Sequence, residues 1–206
     1  SQAWARDFNE VKAVGGRTSA LRSAEQTEVA RFWDYSAPPI YHALVRSVAL
    51  QPGRDIARNA RLFAAVAQSM DDALIAVFEA KYHYKFWRPV TAIRNADLDG
   101  NDATDREAGW SALIDVPMHP EYPAAHSVLA SALGTVLAAD VGSAPLPVLT
   151  TSSPTAKGAT RRYDSIGGLV QEVGDARIWG GVHYRTSTEV GAHIGRQVGA
   201  MAVALR

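Results

Sequence analysis

Three short segments of the chain gather residue types that handle anions and protons. In the first, Lys81 and Arg88 stand seven residues apart in a stretch with helical patterning, which puts both on nearly one helix face, two turns apart. Side chains of that length can converge on a single anion. In the second, His119-Pro120-Glu121-Tyr122-Pro123-Ala124-Ala125-His126-Ser127, His126 falls in the first turn of the helix that follows a Pro-rich turn. Backbone N–H groups at such a terminus favour an anion, and a nearby imidazole exchanges protons near neutral pH. The third, Asp175 to Arg185, sets Arg177 and His183 on either side of a Gly180-Gly181 turn. Taken singly, each also fits a plainer role: a solvated basic face beside Phe86 and Trp87, a capping histidine, a structural turn.

The elements that must position these residues read as helices, because apolar residues recur every three or four positions and strand-like alternation is almost absent. Ser23 with Gln26 forms a capping box for a helix running through Val29 and Trp33 to a breaker at Ala37-Pro38-Pro39, and a second begins after Pro39. From Asp55 to Arg88 there is no Gly or Pro, and Phe63, Val66, Met70, Ala73, Val77 and Phe78 make one buried stripe on a long helix or two in series. Pro89 stops or bends the chain, and Asn95 to Gly109 is a polar loop. A buried helix carries Val128, Leu129, Leu133, Val136 and Leu137, and Gly142 through Gly158 reads as a long irregular, mobile connection. In the last helix Val190, Ile194, Val198, Met201 and Leu205 form an apolar stripe, while Gly191, Gly195 and Gly199 let a neighbour approach closely.

Composition narrows the function classes. The 206 residues, 47% of them hydrophobic, suit a single all-α domain spanning 1–206. With 21 Lys+Arg against 21 Asp+Glu there is no basic surplus for nucleic acid. The absence of Cys removes disulfides, thiolate nucleophiles and Cys-ligated metals. The longest charge-free stretch, Tyr122 to Ala139, is Ala-rich and interrupted by Pro123, His126 and hydroxyl residues, so a buried helix is expected instead of a membrane span. The chain begins at Ser1 without Met or a charged-then-apolar leader, so the expectation is that any signal peptide was removed or lies upstream. Among other candidates, Asn95 to Gly100 is a poor calcium loop, because Asn stands first and Arg106 stands where Glu is needed. Asp71-Asp72 reads as surface charge, and His42 and His193 as helix-face residues. Arg161-Arg162 could guard an entrance for an anionic substrate.

Together the three segments resemble the superfamily of type 2 phosphatidic acid phosphatases, bacterial acid phosphatases and vanadium-dependent haloperoxidases. Its signature is Lys, six residues, Arg-Pro; then Pro-Ser-Gly-His; then Ser-Arg, five residues, His, three residues, Asp. Here it stands as Lys81 to Arg88-Pro89, Pro123-Ala124-Ala125-His126, and Ala176-Arg177 to His183 and Ser187, within 81–187. The Phe86-Trp87-Arg88-Pro89 run looks most like the soluble haloperoxidase branch. His119, seven residues before the motif His, occupies a place where algal bromoperoxidases carry His and fungal chloroperoxidase carries Phe.

The resemblance implies an all-α helical bundle of the haloperoxidase and acid phosphatase type, with the site between the helices bearing Lys81, His126 and His183. Lys81, Arg88, Arg177 and the Ala125 N–H would hold phosphate or vanadate, tetrahedral oxyanions that planar Arg forks suit. In a haloperoxidase His183 would bind vanadium axially, His126 would assist peroxide and His119 would line the halide pocket, with halide and hydrogen peroxide as substrates. In the alternative, a phosphomonoesterase without cofactor, His183 would attack phosphorus and His126 would protonate the leaving alcohol of a phosphate ester. A third reading is an oxyanion-binding protein that has lost catalysis. It is motivated by the departures: Ala124 for Ser, Ala125 for Gly, Ala176 for Ser, and Ser187 for the Asp that would orient His183, a role left to Ser187 itself or to Glu189. The Gly-rich last helix is compatible with packing inside one chain or across a homo-oligomer, and soluble relatives are often exported, which points to the periplasm or exterior.

Overall fold

The structure, a computed structural model, describes residues 1–36 and 38–204. It is an all-α bundle with one small hairpin: α1 (Gln2–Gly15), α2 (Ala24–Phe32), α3 (Pro38–Ala49), α4 (Ile56–Tyr84), α5 (Pro89–Arg94), α6 (Ala125–Val141), β1 (Leu149–Ser153), β2 (Ala159–Tyr163), α7 (Ile166–Trp179) and α8 (Arg185–Ala204). The capping box is present, with Ser23 accepting from the Gln26 N–H and Gln26 accepting from the Ser23 N–H. Ala37 of the expected breaker and Leu205 of the expected stripe lie outside the described residues. Pro38 and Pro39 open α3 instead of preceding it, as first-turn positions whose N–H has no helical partner allow. The N-terminal helix α1 escaped the sequence reading; it buries Asp7, Phe8, Val11 and Gly15 and is capped by Ser1.

At the centre α6 is buried almost all round, from Ser127 to Gly134 and at Val136 and Leu137. It packs most extensively on α8, then on α4 and α7. Close approach to α8 rests on the glycine ladder: a Cβ at Gly191 would stand 2.7 Å from the Ala124 carbonyl, and one at Gly199 would stand 2.7 Å from Thr135 Cβ. The buried face of α8 is therefore the side with Ser187, Thr188, Gly191, Gly195 and Gly199. The aliphatic stripe lies beside it: Val190, Ile194 and Val198 are half-buried and Met201 is 67% exposed. The stripe on α4 is as expected, with Val66, Ala73 and Val77 buried and Phe63, Met70 and Phe78 packed against the same core.

A second apolar cluster joins Phe8 and Val11 of α1, Ala92 and Ile93 of α5, Trp110, Ile114, Ile178, Val182 and Tyr184. Gly181 sits at φ +80° with its α-carbon against Gly15, a place no side chain could occupy.

Three expectations need correction. The helix ends five residues before Pro89, at Tyr84, because Lys85 turns left-handed (φ 49°); Pro89 then starts α5. Lys81 and Arg88 therefore do not share a helix face. The connection after Gly142 holds a hairpin, β1 antiparallel to β2 with Leu149 opposite Tyr163. Its inward residues, Leu149, Thr151 and Ser153, do alternate, but two are small and polar, so hydrophobic alternation was invisible. Arg161, read with Arg162 as a candidate guard of an anion entrance, is held by acids instead: it pairs with Glu25 and Glu172, at 2.7 and 2.8 Å, and lies near Glu28. The Asp99 carboxylate in the Asn95 loop is engaged by Trp4 Nε1, the Asn101 N–H and Thr104 Oγ1. Asp71, Asp72 and His193 are exposed, and His42 packs edge-on against Phe63.

Gly195→Ala should destabilise the fold by about 1 to 3 kcal/mol through overpacking, since its Cβ would meet the Val128 carbonyl and Ser131. Gly167→Ala, with open space at its Cβ, should change stability little or raise it by up to about 1 kcal/mol. Urea unfolding of the two variants checks the contrast.

Candidate functional site

Lys81 is brought in by the last turns of α4, Arg88 by the N-cap of α5, and His126 by the first turn of α6. Arg177 lies near the end of α7, and His183 in the turn before α8. All three motif segments meet, and their charges are deeply buried: Lys81 0%, Arg88 6%, Arg177 1%, Glu121 0% and His183 1% exposed.

Lys81 Nζ donates to the carbonyls of Pro120, Glu121 and Pro123 at 3.1, 2.7 and 2.5 Å. Burial, and next Arg88, draw its pKa down to about 7. Three carbonyl acceptors nevertheless call for three N–H protons, which only the ammonium has. Lys81 thus fixes the segment leading into α6, and it would give a proton to an oxyanion only by releasing a carbonyl.

Arg88 ties the segments together. Its Nε donates to the His119 carbonyl (3.0 Å), Nη1 to the Val182 carbonyl (2.7 Å) and to His183 Nε2 (3.2 Å), and Nη2 lies 3.1 Å from His119 Nδ1. A guanidinium has only protons to offer, so His183 Nε2 accepts here, while His119 Nδ1, also 3.2 Å from the Pro120 carbonyl, accepts from Arg88 or donates to Pro120 according to its tautomer. His119, stacked at a tilt on Phe78, is half-buried, and burial lowers its pKa.

His183 Nδ1 lies 2.7 Å from Glu121 Oε1, which also accepts from the Tyr184 N–H at 3.1 Å; Ser187 Oγ donates to Glu121 Oε2 at 2.6 Å. Burial first, then Arg88, Lys81 and Arg177, hold the His183 pKa well below its usual value. The ring is neutral, with its proton on Nδ1 toward Glu121 and the Nε2 lone pair toward Arg88. Burial pushes the Glu121 carboxyl up to about 7 against the pull of Ser187, Tyr184, Arg88 and Lys81. Three donors on two oxygens match the carboxylate form. The sequence reading passed over Glu121, although it stands inside the second segment two residues from Pro123. A charged residue amid an otherwise uncharged run before a buried helix was the available signal. Glu189, the other acid considered, is exposed on the groove between α6, α7 and α8.

Arg177 Nη1 donates to the Trp33 carbonyl (2.9 Å), while its Nε is buried with no hydrogen-bond partner among the described residues. The same holds for His126 Nε2, and Arg177 is the charge that depresses the His126 pKa most after burial. Ala124, the N-cap of α6, offers no capping side chain, and its N–H goes to the Ser187 carbonyl (3.1 Å). Ala125 opens α6, where the helical ladder leaves N–H groups unused. Ala176 is packed in the apolar core. On the far side of Ser187 lies a cleft of about 390 Å³ lined by Trp4, Tyr84, Phe86, Tyr122 and Tyr184.

Chemically, three buried cations face one buried carboxylate, and unmatched positive charge away from water is costly. An oxyanion would relieve that imbalance, and Arg177 Nε, His126 Nε2 and the α6 N–H groups are donors suited to it. A neutral imidazole with a directed Nε2 lone pair suits a ligand to vanadium or an attack on phosphorus. The residues present therefore fit vanadate.

Comparison with known proteins shows the family and the fold. Over residues 61–206 the chain matches the VCPO second helical-bundle domain. It is similar to the vanadium chloroperoxidase of Curvularia inaequalis, 31% identical over 54% of this chain and 22% of that protein. Its structure superposes on the first bacterial vanadium-dependent iodoperoxidase with a TM-score of 0.78 at 26% identity, covering 98% of this chain and 49% of that one. With a holo-type bacterial vanadium-dependent chloroperoxidase the TM-score is 0.79 at 22% identity, over 98% and 47% of the two chains, a likeness of fold. The chain spans 22% of the length of the Curvularia protein and just under half of these solved chains. No helix among the described residues is long and apolar enough to cross a membrane. The chain belongs to the VCPO second helical-bundle domain family, within the haloperoxidase-like superfamily that its three segments resemble.

Proposed function

We propose that this chain carries the vanadate site of a vanadium-dependent haloperoxidase-like enzyme, which oxidises halide with hydrogen peroxide. The observation that carries the reading is His183, neutral, with Nδ1 on Glu121 and Nε2 presented beside Arg88 among buried cations. Vanadate, when bound, supplies the centre at which peroxide oxidises halide, in the balance halide + H2O2 + H⁺ → hypohalous acid + H2O. His183 Nε2 would be the protein atom that holds the vanadate. Arg177 and Arg88 neutralise the oxyanion's charge, and the Ala125 N–H adds a donor where the family Ser is replaced by Ala124. Lys81 contributes charge and holds the Pro120–Pro123 carbonyls in place. His126 relays the proton consumed, and His119 lines the halide side. Burial of the set excludes water, which strengthens each of these interactions.

Oxyanion binding is read first. Phosphate or orthovanadate at a hundredfold excess over Kd should add about 2.7 kcal/mol of stability, raising Tm by about 5 to 11 °C for a chain of this size. Arg177→Met should weaken that binding at least about tenfold, and a Tm unmoved by either anion would count against the site.

Activity is read on the same preparation. Bromination of a phenol-type dye should require orthovanadate, peroxide and bromide, and should vanish in His183→Ala. Release of phosphate from an aryl ester, without bromination, would instead make His183 a phosphohistidine nucleophile. Oxyanion binding with neither turnover would identify a binding protein. Bromination undiminished in His183→Ala would remove His183 from the mechanism.

A further inference from the structure

The superfamily signature orients its histidine with an Asp four positions later, and this chain has Ser187 there. A serine hydroxyl can neither reach as far as a carboxylate nor carry charge, so on sequence alone the imidazole lacks its partner. In the structure the partner comes from another segment. Glu121, two residues before Pro123 of the second motif, is fully buried with Oε1 2.7 Å from His183 Nδ1 and 3.1 Å from the Tyr184 N–H. Ser187 has become a donor to that carboxylate, 2.6 Å from Oε2. The main chain of Glu121 is clamped on both sides: its N–H goes to the Phe86 carbonyl at 3.0 Å and its carbonyl receives Lys81 Nζ at 2.7 Å. The side chain thus springs from a fixed backbone.

We infer that Glu121 is the positioning residue for His183, a carboxylate relocated from the third motif segment to the second, and that Ser187 is the matching change that permits it. The coupling is steric and electrostatic. An Asp at 187 would bring a second carboxylate to the place from which Ser187 Oγ now donates, and two buried like charges in contact repel strongly. With Ser187, Glu121 receives a third hydrogen bond instead. Glu121 accepts the Nδ1 proton of His183, selects that tautomer, and leaves Nε2 as the lone-pair nitrogen. What that nitrogen then does rests on the haloperoxidase-like reading, whereas the tautomer and the pairing of Glu121 with Ser187 stand independently of it.

The test is a two-by-two cycle in the full chain: unmodified protein, Glu121→Ala, Ser187→Asp, and both together, each labelled with ¹⁵N-histidine. His183 is assigned by the signal missing from His183→Asn. Proton–nitrogen correlation spectra of the unmodified protein should show His183 protonated at Nδ1. Glu121→Ala should shift it toward the Nε2-protonated form and weaken orthovanadate binding at least about tenfold. Ser187→Asp should lower Tm in the presence of Glu121 and raise it in Glu121→Ala, a reversal of sign that independent sites do not show. The double variant should regain the Nδ1-protonated form and orthovanadate affinity within about threefold of the starting protein. An Nε2-protonated His183 in the unmodified protein overturns the inference without any variant having to fold. So does an equal effect of Ser187→Asp in both backgrounds. Absence of bromination with the tautomer and the sign reversal intact would remove the proposed activity and leave the positioning role standing.

Discussion

Burying the Lys81 ammonium obliges the surrounding chain to bring acceptors to it. The carbonyls of Pro120, Glu121 and Pro123 answer that demand, and their convergence on one nitrogen sets the path of the segment that enters α6. Once the path is set, Glu121 points its carboxylate at His183, Arg88 reaches the His119 carbonyl, and His126 falls in the first turn of the helix. Removing the ammonium would take its donor from the buried Glu121 and Pro123 carbonyls, which is more costly than the loss of an ordinary hydrogen bond.

The helices that hold this cluster depend on unusually close contact. Gly191, Gly195 and Gly199 let the α8 backbone lie against α6, and Gly15 meets Gly181 on the opposite side, where the turn before His183 is pinned to α1. Precision at the site follows from these backbone contacts, since a helix separated by side chains could shift by more than the tolerance of a hydrogen bond. Among the described residues the buried positive charge of the cluster exceeds its buried negative charge, an imbalance that a bound oxyanion would relieve.

Much of this was legible in the sequence. The helical period on α4, the capping box at Ser23, the first-turn position of His126 and the glycine spacing on α8 each reflect local rules of helix formation, and each is as expected. The spacing of the three motif segments pointed to the cluster that the structure assembles from them. Where local rules gave way, the cause can be named. The α4 helix ends early because Lys85 is left-handed, β1 turns small polar residues inward, and α8 buries its glycines while its aliphatic residues lie at the side.

By itself, then, the order of residues determined which groups could meet an oxyanion: cations and imidazoles at fixed separations along the chain, on helices whose period is a short-range property. Only the tertiary structure decided how those groups are protonated and aimed. Lys81 and Arg88 converge from separate helices, and Glu121 lies 62 positions from His183 in the chain yet touches its ring. Such pairings have no local signature, because they come from the packing of distant segments. A carboxylate supplied to His183 by a distant segment becomes visible only when the chain is folded.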